Sequence, residues 1–381
     1  MIPGPVEFEP EVLQALGAPT LSHTDPAFIA VFGRALRRLR EVCLAPSSQP
    51  FVVSGSGTLA MEMAVANLVE PGDAALVVNT GYFSDRMAKI LERHGAKVTH
   101  VRAPPGDVPS LDEVETQLSR GGFKLMAVTH VDTSTGVLAP VEALTRAARK
   151  HGVLSVVDGV CATAAEVFRQ DAWEADVYLT ASQKAVGVPP GLALLTAGPR
   201  AMEAWRKRAT PVASVYSDWA EWLPIMEAYE SGKPAYFATP PVNLVAALDV
   251  SLGQILAEGL DARFARHQRM ARAFRAGWKA LGLRLVPTSD AVTANALSAV
   301  YYPEGVDAAL VGGVKGQGVV VAGGLHPDLK TRYFRVGHMN RVGPADVLST
   351  VGAVERALLA AGHRSEPGAA VAAAQASLLA G

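Results

Sequence analysis

The sequence predicts an α/β fold in which a mostly parallel sheet of seven strands is covered by helices. Between residues 51 and 198, short apolar runs alternate over most of the length with amphipathic stretches. Continuous Val, Leu and Ala runs are typical of strands buried on both faces, and intervening helices favour parallel pairing. The runs are Phe51–Val53, Ala74–Val78, Lys97–Val101, Lys124–Thr129, Val153–Val157, Val177–Thr180 and Leu192–Thr196, and the helices lie near 58–69, 82–94, 110–120 and 140–151.

The segments before and after this sheet predict further elements and a second, smaller α+β unit. Pro3-Gly4-Pro5 predicts an extended entry, and Asp25-Pro26 predicts the start of a helix that ends near Leu44. Residues 200–280 are predicted to be mainly helical, with a break near Tyr236–Pro241. The smaller unit has predicted strands near 283–286, 296–302, 317–322 and 333–337, then a helix from Pro344 to Ala360 and an alanine-rich tail that is expected to fray.

Composition and charge exclude several classes of protein. Of 381 residues, 49% are hydrophobic and 19% charged, which predicts a large buried core and little disorder. With 35 basic and 36 acidic residues, the chain offers no basic surface for nucleic acid. Cys43 and Cys161 form no disulfide or zinc-site pattern. Because we find no signal-peptide pattern and no run of about 18 apolar residues, we expect a cytoplasmic protein without a membrane span.

Polar clusters follow several of the predicted strands, at the edge where open α/β sheets bind their ligands. Ser54-Gly55-Ser56-Gly57-Thr58 follows the first strand and opens a helix. Glycines permit close backbone approach, and the free N–H groups of a helix N-terminus suit a phosphate. The cluster matches neither the P-loop nor a dinucleotide fingerprint. The alternative interpretation is a plain serine-rich turn between strand and helix.

Two charged residues in the same half of the chain suggest cofactor chemistry. Asp158 follows the run Val153–Val157, and a buried carboxylate there needs a cation, such as a protonated pyridine nitrogen, or strong donors. Its alternative role is a bond to loop backbone or a helix cap. Lys184 is the one charged residue between Val177 and Pro199. Desolvation would lower the pKa of its amine and suit Schiff-base chemistry, whereas an exposed loop tip would not.

In combination, these features resemble the class V, fold-type I aminotransferases, and among them the alanine–glyoxylate and serine–pyruvate group. The resemblance covers nearly the whole chain and implies the cofactor pyridoxal 5'-phosphate. The matching segments are Pro3-Gly4-Pro5, Ser22-His23-Thr24-Asp25-Pro26, Gly55-Ser56-Gly57-Thr58, Gly81-Tyr82-Phe83-Ser84-Asp85-Arg86, Ser134-Thr135-Gly136-Val137, Val157-Asp158, Ser182-Gln183-Lys184, Thr239-Pro240-Pro241 and Phe334-Arg335-Val336-Gly337.

The resemblance implies three regions and a catalytic set. An extended segment (1–24) would lie near the active site, followed by a large cofactor-binding domain (25–260) and a small C-terminal α+β domain (261–381). Lys184 would carry the cofactor as a Schiff base and then move the substrate's α-proton, while Asp158 pairs with the pyridinium nitrogen. Arg335 would bind the substrate's α-carboxylate through a bidentate pair, and Gly4 would line the substrate site.

The remaining implied contacts hold the cofactor. The backbone of Ser56-Gly57-Thr58 and the Gln183 side chain would bind its phosphate. Tyr236 and Thr239 of a neighbouring subunit would complete that site, which implies a homodimer with shared active sites. Phe83 would stack over the ring, where the family often has tryptophan, and Thr133 would lie beside it. Alternative positions are the core for Phe83, its own subunit for Tyr236, and a solvent-facing edge strand for Arg335.

The implied reaction is a ping-pong amino transfer from a small amino acid, alanine or serine, to a small 2-oxo acid, glyoxylate or pyruvate. An aspartate- or phosphoserine-type aminotransferase and a catalytically silent relative remain as alternatives. A dicarboxylic donor would need a second cation, for which Arg86, Arg332 and Arg341 are candidates. A cysteine desulfurase is excluded because no cysteine follows Cys161. The ending Gly337-His338-Met339-Asn340 departs from the commoner Gly-x-Met-Gly of the family.

Overall fold

A seven-stranded sheet forms the centre of the fold in the computed structural model, which describes residues 1–380. Its order is β1-β9-β8-β7-β4-β2-β3, and all seven predicted strands are confirmed. Four of the pairings are parallel, and β9 runs antiparallel to both of its neighbours. The strands are β1 (Gln49–Ser54), β2 (Ala74–Asn79), β3 (Lys97–Arg102), β4 (Phe123–Thr129), β5 (Val131–Asp132), β6 (Val137–Leu138), β7 (Leu154–Asp158), β8 (Val177–Ala181), β9 (Leu192–Ala197), β10 (Leu297–Tyr301), β11 (Ala322–Gly323) and β12 (Tyr333–Gly337).

Helices cover both faces of this sheet and build the second unit. The predicted start at Asp25-Pro26 is confirmed, since the Asp25 carboxylate accepts the Ala27 N–H at 2.7 Å and Pro26 takes the first helical position. The helices are α1 (Pro10–Leu16), α2 (Pro26–Cys43), α3 (Gly57–Leu68), α4 (Tyr82–Arg93), α5 (Leu111–Ser119), α6 (Val141–Lys150), α7 (Pro199–Arg206), α8 (Trp219–Glu230), α9 (Val242–Glu258), α10 (Leu260–Ala280), α11 (Ala309–Gly316), α12 (Pro344–Ala360) and α13 (Ala369–Leu379).

Strand direction places the predicted functional segments at one edge of the sheet. The parallel strands β2, β4, β7 and β8 end there, and β1 ends there too because it pairs with the reversed strand β9. The glycine–serine turn after β1, Asp158 at the end of β7 and the loop 182–191 between β8 and β9 therefore meet at this edge. This is the ligand-binding edge of open α/β sheets.

The C-terminal part has a core of its own around a three-stranded antiparallel sheet, β10-β12-β11. One hydrophobic cluster extends from Val12 to Ile255, and a second extends from Met270 to Leu378. These separate clusters support the proposed division of the chain near residue 260. The exact boundary stays a prediction.

Several local expectations are wrong. Near 283–286 there is a single bridge from Leu285 to Val300 instead of a strand. A strand was predicted near 317–322, but the observed strand β11 is Ala322–Gly323 and overlaps that range at Ala322 alone. The tail does not fray, because α13 packs on α10 and buries Ala370, Ala374 and Leu378. Helix α1 and the short β5–β6 hairpin were not predicted at all.

The helices were also compared with the length and apolarity needed to cross a membrane. Within residues 1–380, no single helix meets both requirements, while α9 and α10 meet them only as a pair bent by 85°.

The glycine that follows Asp158 supports a testable stability prediction. A Cβ at Gly159 would overlap the ring of Tyr178, which is fully buried. We expect Gly159→Ala to lower the free energy of unfolding by about 1–3 kcal/mol through overpacking. Gly312→Ala, on the exposed face of α11 with no neighbouring atom within 4 Å, is the control and should raise it by about 0.5–1 kcal/mol. Urea unfolding of both variants checks the prediction, and equal stability of the two would contradict it.

Candidate active site

Lys184 is buried at the ligand-binding edge, in the loop between β8 and β9. Only 8% of the residue is exposed, so the exposed loop-tip interpretation is excluded. Its Nζ donates a hydrogen bond to the Pro3 carbonyl. Among residues 1–380, no carboxylate lies within ion-pair distance of this amine. Burial lowers the pKa of Lys184, with Cys161 and Asp158 opposing the shift and Arg335 adding to it.

Gly4 lies directly against this lysine. Its φ of 107° is in the region that favours glycine, and a Cβ there would be 2.7 Å from Lys184 Cδ and 2.8 Å from its Nζ. Any side chain at position 4 would therefore collide with the reactive amine. The N-terminal segment reaches the site, as the sequence analysis expected, although its contact with substrate stays a prediction.

Asp158 is a buried carboxylate with little compensation. One oxygen accepts the Val160 N–H at 2.9 Å, so the predicted loop-backbone bond is present. Burial raises the pKa of Asp158 to about 7; the bond from Val160 lowers it, Asp132 raises it further, and Lys184 lowers it. One backbone hydrogen bond offsets only a small part of the free-energy cost of desolvating a carboxylate. The site is therefore suited to a cationic ligand group.

A second buried carboxylate, Asp132, was not singled out from the sequence. One oxygen accepts the Ser134 N–H and hydroxyl at 2.9 and 2.6 Å, and the other accepts the Phe83 N–H at 3.0 Å. Burial raises its pKa, while these hydrogen bonds lower it. Asp132 therefore fixes the N-terminus of α4, which carries Phe83. The signal was available, because Asp132 follows β4 closely, as Asp158 ends β7.

The turn after β1 presents the N-terminus of α3. Ser56 is exposed at the N-cap and makes no capping hydrogen bond with its side chain, and Thr58 is exposed as well. The first N–H groups of a helix have no intrahelical acceptor, so an anion can take them. Gly57 itself is buried, and a Cβ there would be 2.8 Å from Val160 Cγ2. This glycine permits close packing beside Asp158.

Gln183 follows β8 and the aromatic residue Phe83 follows β2, so both lie shortly after strands of the large sheet. The Gln183 side-chain oxygen is buried without a hydrogen-bond partner among the described residues. Phe83 is half-buried and packs against the hydrophobic core, which agrees in part with the alternative prediction that it is a core residue. The Arg86 guanidinium lies over the Phe83 ring at 4.9 Å and donates to Thr58 Oγ1 at 3.0 Å. Of the three candidate cations, Arg86 is therefore beside the glycine–serine turn after β1.

Arg335 lies on the central strand of the small sheet, so the edge-strand interpretation is wrong. Its Nε donates to the Gly323 carbonyl at 2.8 Å and its Nη1 to the Thr133 carbonyl at 3.1 Å. Burial lowers the pKa of Arg335. Thr133 is itself buried and connects this strand to the large sheet. Within residues 1–380, Arg335 Nη2 makes no protein hydrogen bond and is available for a carboxylate.

Tyr236 and Thr239 both lie at the surface of the single chain. Tyr236 is 64% exposed and its ring lies 5.3 Å from that of His23, while Thr239 is exposed. The two other candidate cations are placed elsewhere. Arg332 lies over the Tyr301 ring at 5.9 Å, and Arg341 donates to the Phe8 carbonyl at 3.4 Å.

The whole chain was then compared with known proteins. Residues 13–343 match the family described as Aminotransferase class-V. The sequence is 40% identical to alanine–glyoxylate aminotransferase 1 of Saccharomyces cerevisiae, over 89% of this chain and 91% of the relative. It is 34% identical to L-aspartate–glyoxylate aminotransferase of Paracoccus denitrificans, over 98% and 94%. The crystal structure of alanine–glyoxylate aminotransferase from Nostoc sp. superposes with a TM-score of 0.88 at 34% identity, over 94% of each chain.

The fold also agrees, since the chain shares the fold-type I architecture of these enzymes. An amine kept free of carboxylate partners at the edge of a seven-stranded sheet is thus found in a chain whose relatives transfer amino groups. The protein belongs to the class V aminotransferases.

Proposed function

We propose that this aminotransferase uses pyridoxal 5'-phosphate to move an amino group from alanine or serine to glyoxylate or pyruvate. The observation that carries the proposal is the Lys184 amine, buried without an ion-pair partner between Asp158 and Arg335. Burial lowers the pKa of this amine, which favours the uncharged form that acts as nucleophile and base. Small substrates with one carboxylate match the partly buried guanidinium of Arg335.

The residues present fit the cofactor. Its phosphate matches the open N-terminus of α3 with the uncommitted Ser56 hydroxyl, and the side-chain nitrogen of Gln183, which lies beside Lys184 in the chain, would be a further donor. Its pyridine nitrogen, when protonated, would supply the cation that the Asp158 carboxylate lacks. Phe83 offers a half-buried ring for stacking. These features support the roles that the resemblance implies.

Each residue would then act on one part of the reaction. Pyridoxal phosphate, when bound, supplies an aldehyde that takes up the amino group and a ring that stabilises negative charge at the adjacent carbon. Lys184 would hold and move the proton of the substrate's α-carbon. Arg335 would orient the substrate through its carboxylate, and Asp158 would maintain positive charge on the ring nitrogen. The N-terminal segment above Lys184 would exclude water.

Aspartate is the second candidate donor. Arg86 places an additional guanidinium near the phosphate turn, and one relative is named for aspartate–glyoxylate transfer. Against it, Arg86 is already bonded to Thr58 and lies on the Phe83 ring. We therefore rank alanine and serine first.

We further propose a homodimer in which each subunit completes its partner's site. In the single chain, Tyr236 and Thr239 are exposed, although the sequence pattern assigns them to the phosphate. The exposed apolar residues Leu13, Leu21 and Val215 are suited to burial against a second copy.

The role of Lys184 leads to the first functional prediction. Purified wild type should be yellow, and Lys184→Ala should lose the colour and at least about 1,000-fold in transamination rate, because it loses both anchor and proton carrier. Lys207→Ala, at an exposed lysine paired with Glu203, is the control. Absorbance spectra and a coupled assay measure both effects. A colourless wild type that ignores added pyridoxal phosphate would support the silent-relative alternative.

A screen of donors and acceptors tests the substrate assignment. Alanine, serine and aspartate should be combined with glyoxylate, pyruvate and 2-oxoglutarate. We expect alanine with glyoxylate to give the highest kcat/KM, since one carboxylate meets one arginine. A preference for aspartate that falls selectively in Arg86→Gln would favour the second candidate, and aspartate with 2-oxoglutarate as the best pair would overturn the assignment.

The raised pKa of Asp158 predicts a pH effect on the cofactor-free protein. Its folded-state pKa of about 7 exceeds the ordinary 3.8, so the folded protein keeps this proton longer. The stabilising contribution is present at acidic pH and is lost as the pH rises through 7. Asp158→Asn removes this loss, so its stability relative to wild type should increase by about 1–3 kcal/mol between pH 4 and 8. Urea unfolding across this range measures it, with the exposed Asp261→Asn as control. A constant difference would contradict the prediction.

Subunit complementation tests the shared site. A Lys184→Ala chain co-expressed with a Tyr236→Ala chain should recover about one quarter of wild-type activity, because half of the random dimers contain one intact site of two. Each variant alone should remain impaired. If Tyr236 acts within its own subunit, both sites of the mixed dimer are defective and no activity returns. A double variant that carries both changes and is expressed alone is the negative control.

A further inference from the structure

The first eight residues form a strap, Met1–Phe8, that crosses two parts of the active site. The Gly337 N–H donates to the Met1 carbonyl at 2.9 Å, at the end of the strand that carries Arg335. The Val6 N–H donates to the Gln183 carbonyl at 3.1 Å, and Lys184 Nζ donates to the Pro3 carbonyl. The strap therefore joins the substrate arginine's strand to the lysine's loop.

Asn340 holds the other end of this strap. Its Nδ2 donates to the Glu7 carbonyl at 2.8 Å, while its Oδ1 accepts from Arg263 Nη2 at 3.1 Å. The amide orientation is fixed by these partners, since guanidinium only donates and a carbonyl only accepts. The residue is 5% exposed. Both polar atoms of this buried amide therefore form hydrogen bonds.

The backbone of Asn340 is held equally firmly. Its φ is 68°, a conformation that glycine and asparagine adopt most readily. Its N–H donates to His267 Nε2 at 3.1 Å, and its carbonyl accepts from Arg266 Nη1 at 2.7 Å. Asparagine therefore meets the requirement of this backbone conformation and adds a hydrogen-bonded side chain.

The same cluster contacts the loop of the lysine. Arg263 Nη2 also donates to the Ala185 carbonyl at 2.8 Å, next to Lys184. A Cβ on Gly187 would be 2.8 Å from Asn340 Oδ1. Asn340 therefore lies where helix α10, the lysine's loop and the strap meet, five residues after Arg335.

We propose that Asn340 is a positioning residue whose amide clamps the strap and thereby sets the distance between the Arg335 guanidinium and the Lys184 amine. Its amide bonds the strap at the Glu7 carbonyl, and the strap meets Lys184 at the Pro3 carbonyl. The kinetic part of this inference rests on the proposed function, in which those two groups hold the same amino acid. The structural part, a strap held closed by one amide, does not.

Asn340→Asp is the most informative variant. Aspartate tolerates the same backbone conformation and keeps an oxygen for Arg263, but it replaces the donor to Glu7 by an acceptor. Asn340→Gly keeps the backbone and removes both side-chain bonds. Asn243→Asp is the control, because Asn243 Nδ2 likewise donates to two backbone carbonyls, those of Leu16 and Ala18, outside the strap.

Two measurements on the full-length enzyme decide the proposal. Amide hydrogen exchange of Val6–Phe8 should accelerate about tenfold in Asn340→Asp and Asn340→Gly, the loss expected for one hydrogen bond, and should not change in the control. The KM for the amino donor should rise about three- to tenfold while kcat changes less than about twofold, because substrate orientation and not proton transfer is disturbed.

The outcomes separate the clamp from the chemistry. Unchanged exchange in Asn340→Asp, with the protein folded by circular dichroism, overturns the proposal. Faster exchange with an unaltered KM in an active enzyme overturns the positioning role. If the wild type shows no transamination, the proposed function has failed, and the exchange measurement alone still decides whether Asn340 holds the strap.

Discussion

The rest of the site depends on one unusual burial, that of a lysine amine without an acidic partner. Removing an ammonium group from water is costly unless it is paired, so the amine of Lys184 responds by a lowered pKa. Lys184 lies at the edge of the large sheet, and the Pro3 carbonyl accepts a hydrogen bond from its amine. Among the described residues, the Lys184 amine, the Asp158 carboxylate and the Arg335 guanidinium form no ion pair with one another.

Two buried carboxylates at neighbouring strand ends show how the fold separates structure from chemistry. Asp132 receives hydrogen bonds from Ser134 and from the first turn of α4, and it is thereby committed to holding that helix. Asp158 accepts a single backbone hydrogen bond, so the cost of burying its charge is left largely uncompensated. In the sequence, both are aspartates that end or follow an apolar run. Only the number of donors around each carboxylate distinguishes them.

The large sheet could be predicted because most of its strands are continuous apolar runs buried on both faces, a local pattern that needs no knowledge of neighbours. The failures are elements whose stability is not local. Helix α13, rich in alanine, is ordered because Ala370, Ala374 and Leu378 meet α10 far away in sequence. Arg335 was expected either at a substrate or in solvent, and its central strand position depends on pairing with β10 and β11. The roles of the site residues came from motif resemblance, while the contact of Gly4 with Lys184 needed coordinates.

The structural role of the N-terminal segment is another feature that local sequence patterns do not show. Lys184 belongs to the large sheet and Arg335 to the small one, whose cores are separate. Two such units can shift relative to each other unless something spans them. The carbonyls of a short extended segment do so here, bonded on one side to Lys184 and on the other to Gly337 and Asn340. Because backbone carbonyls carry this connection, the pattern of side chains along the sequence could not reveal it.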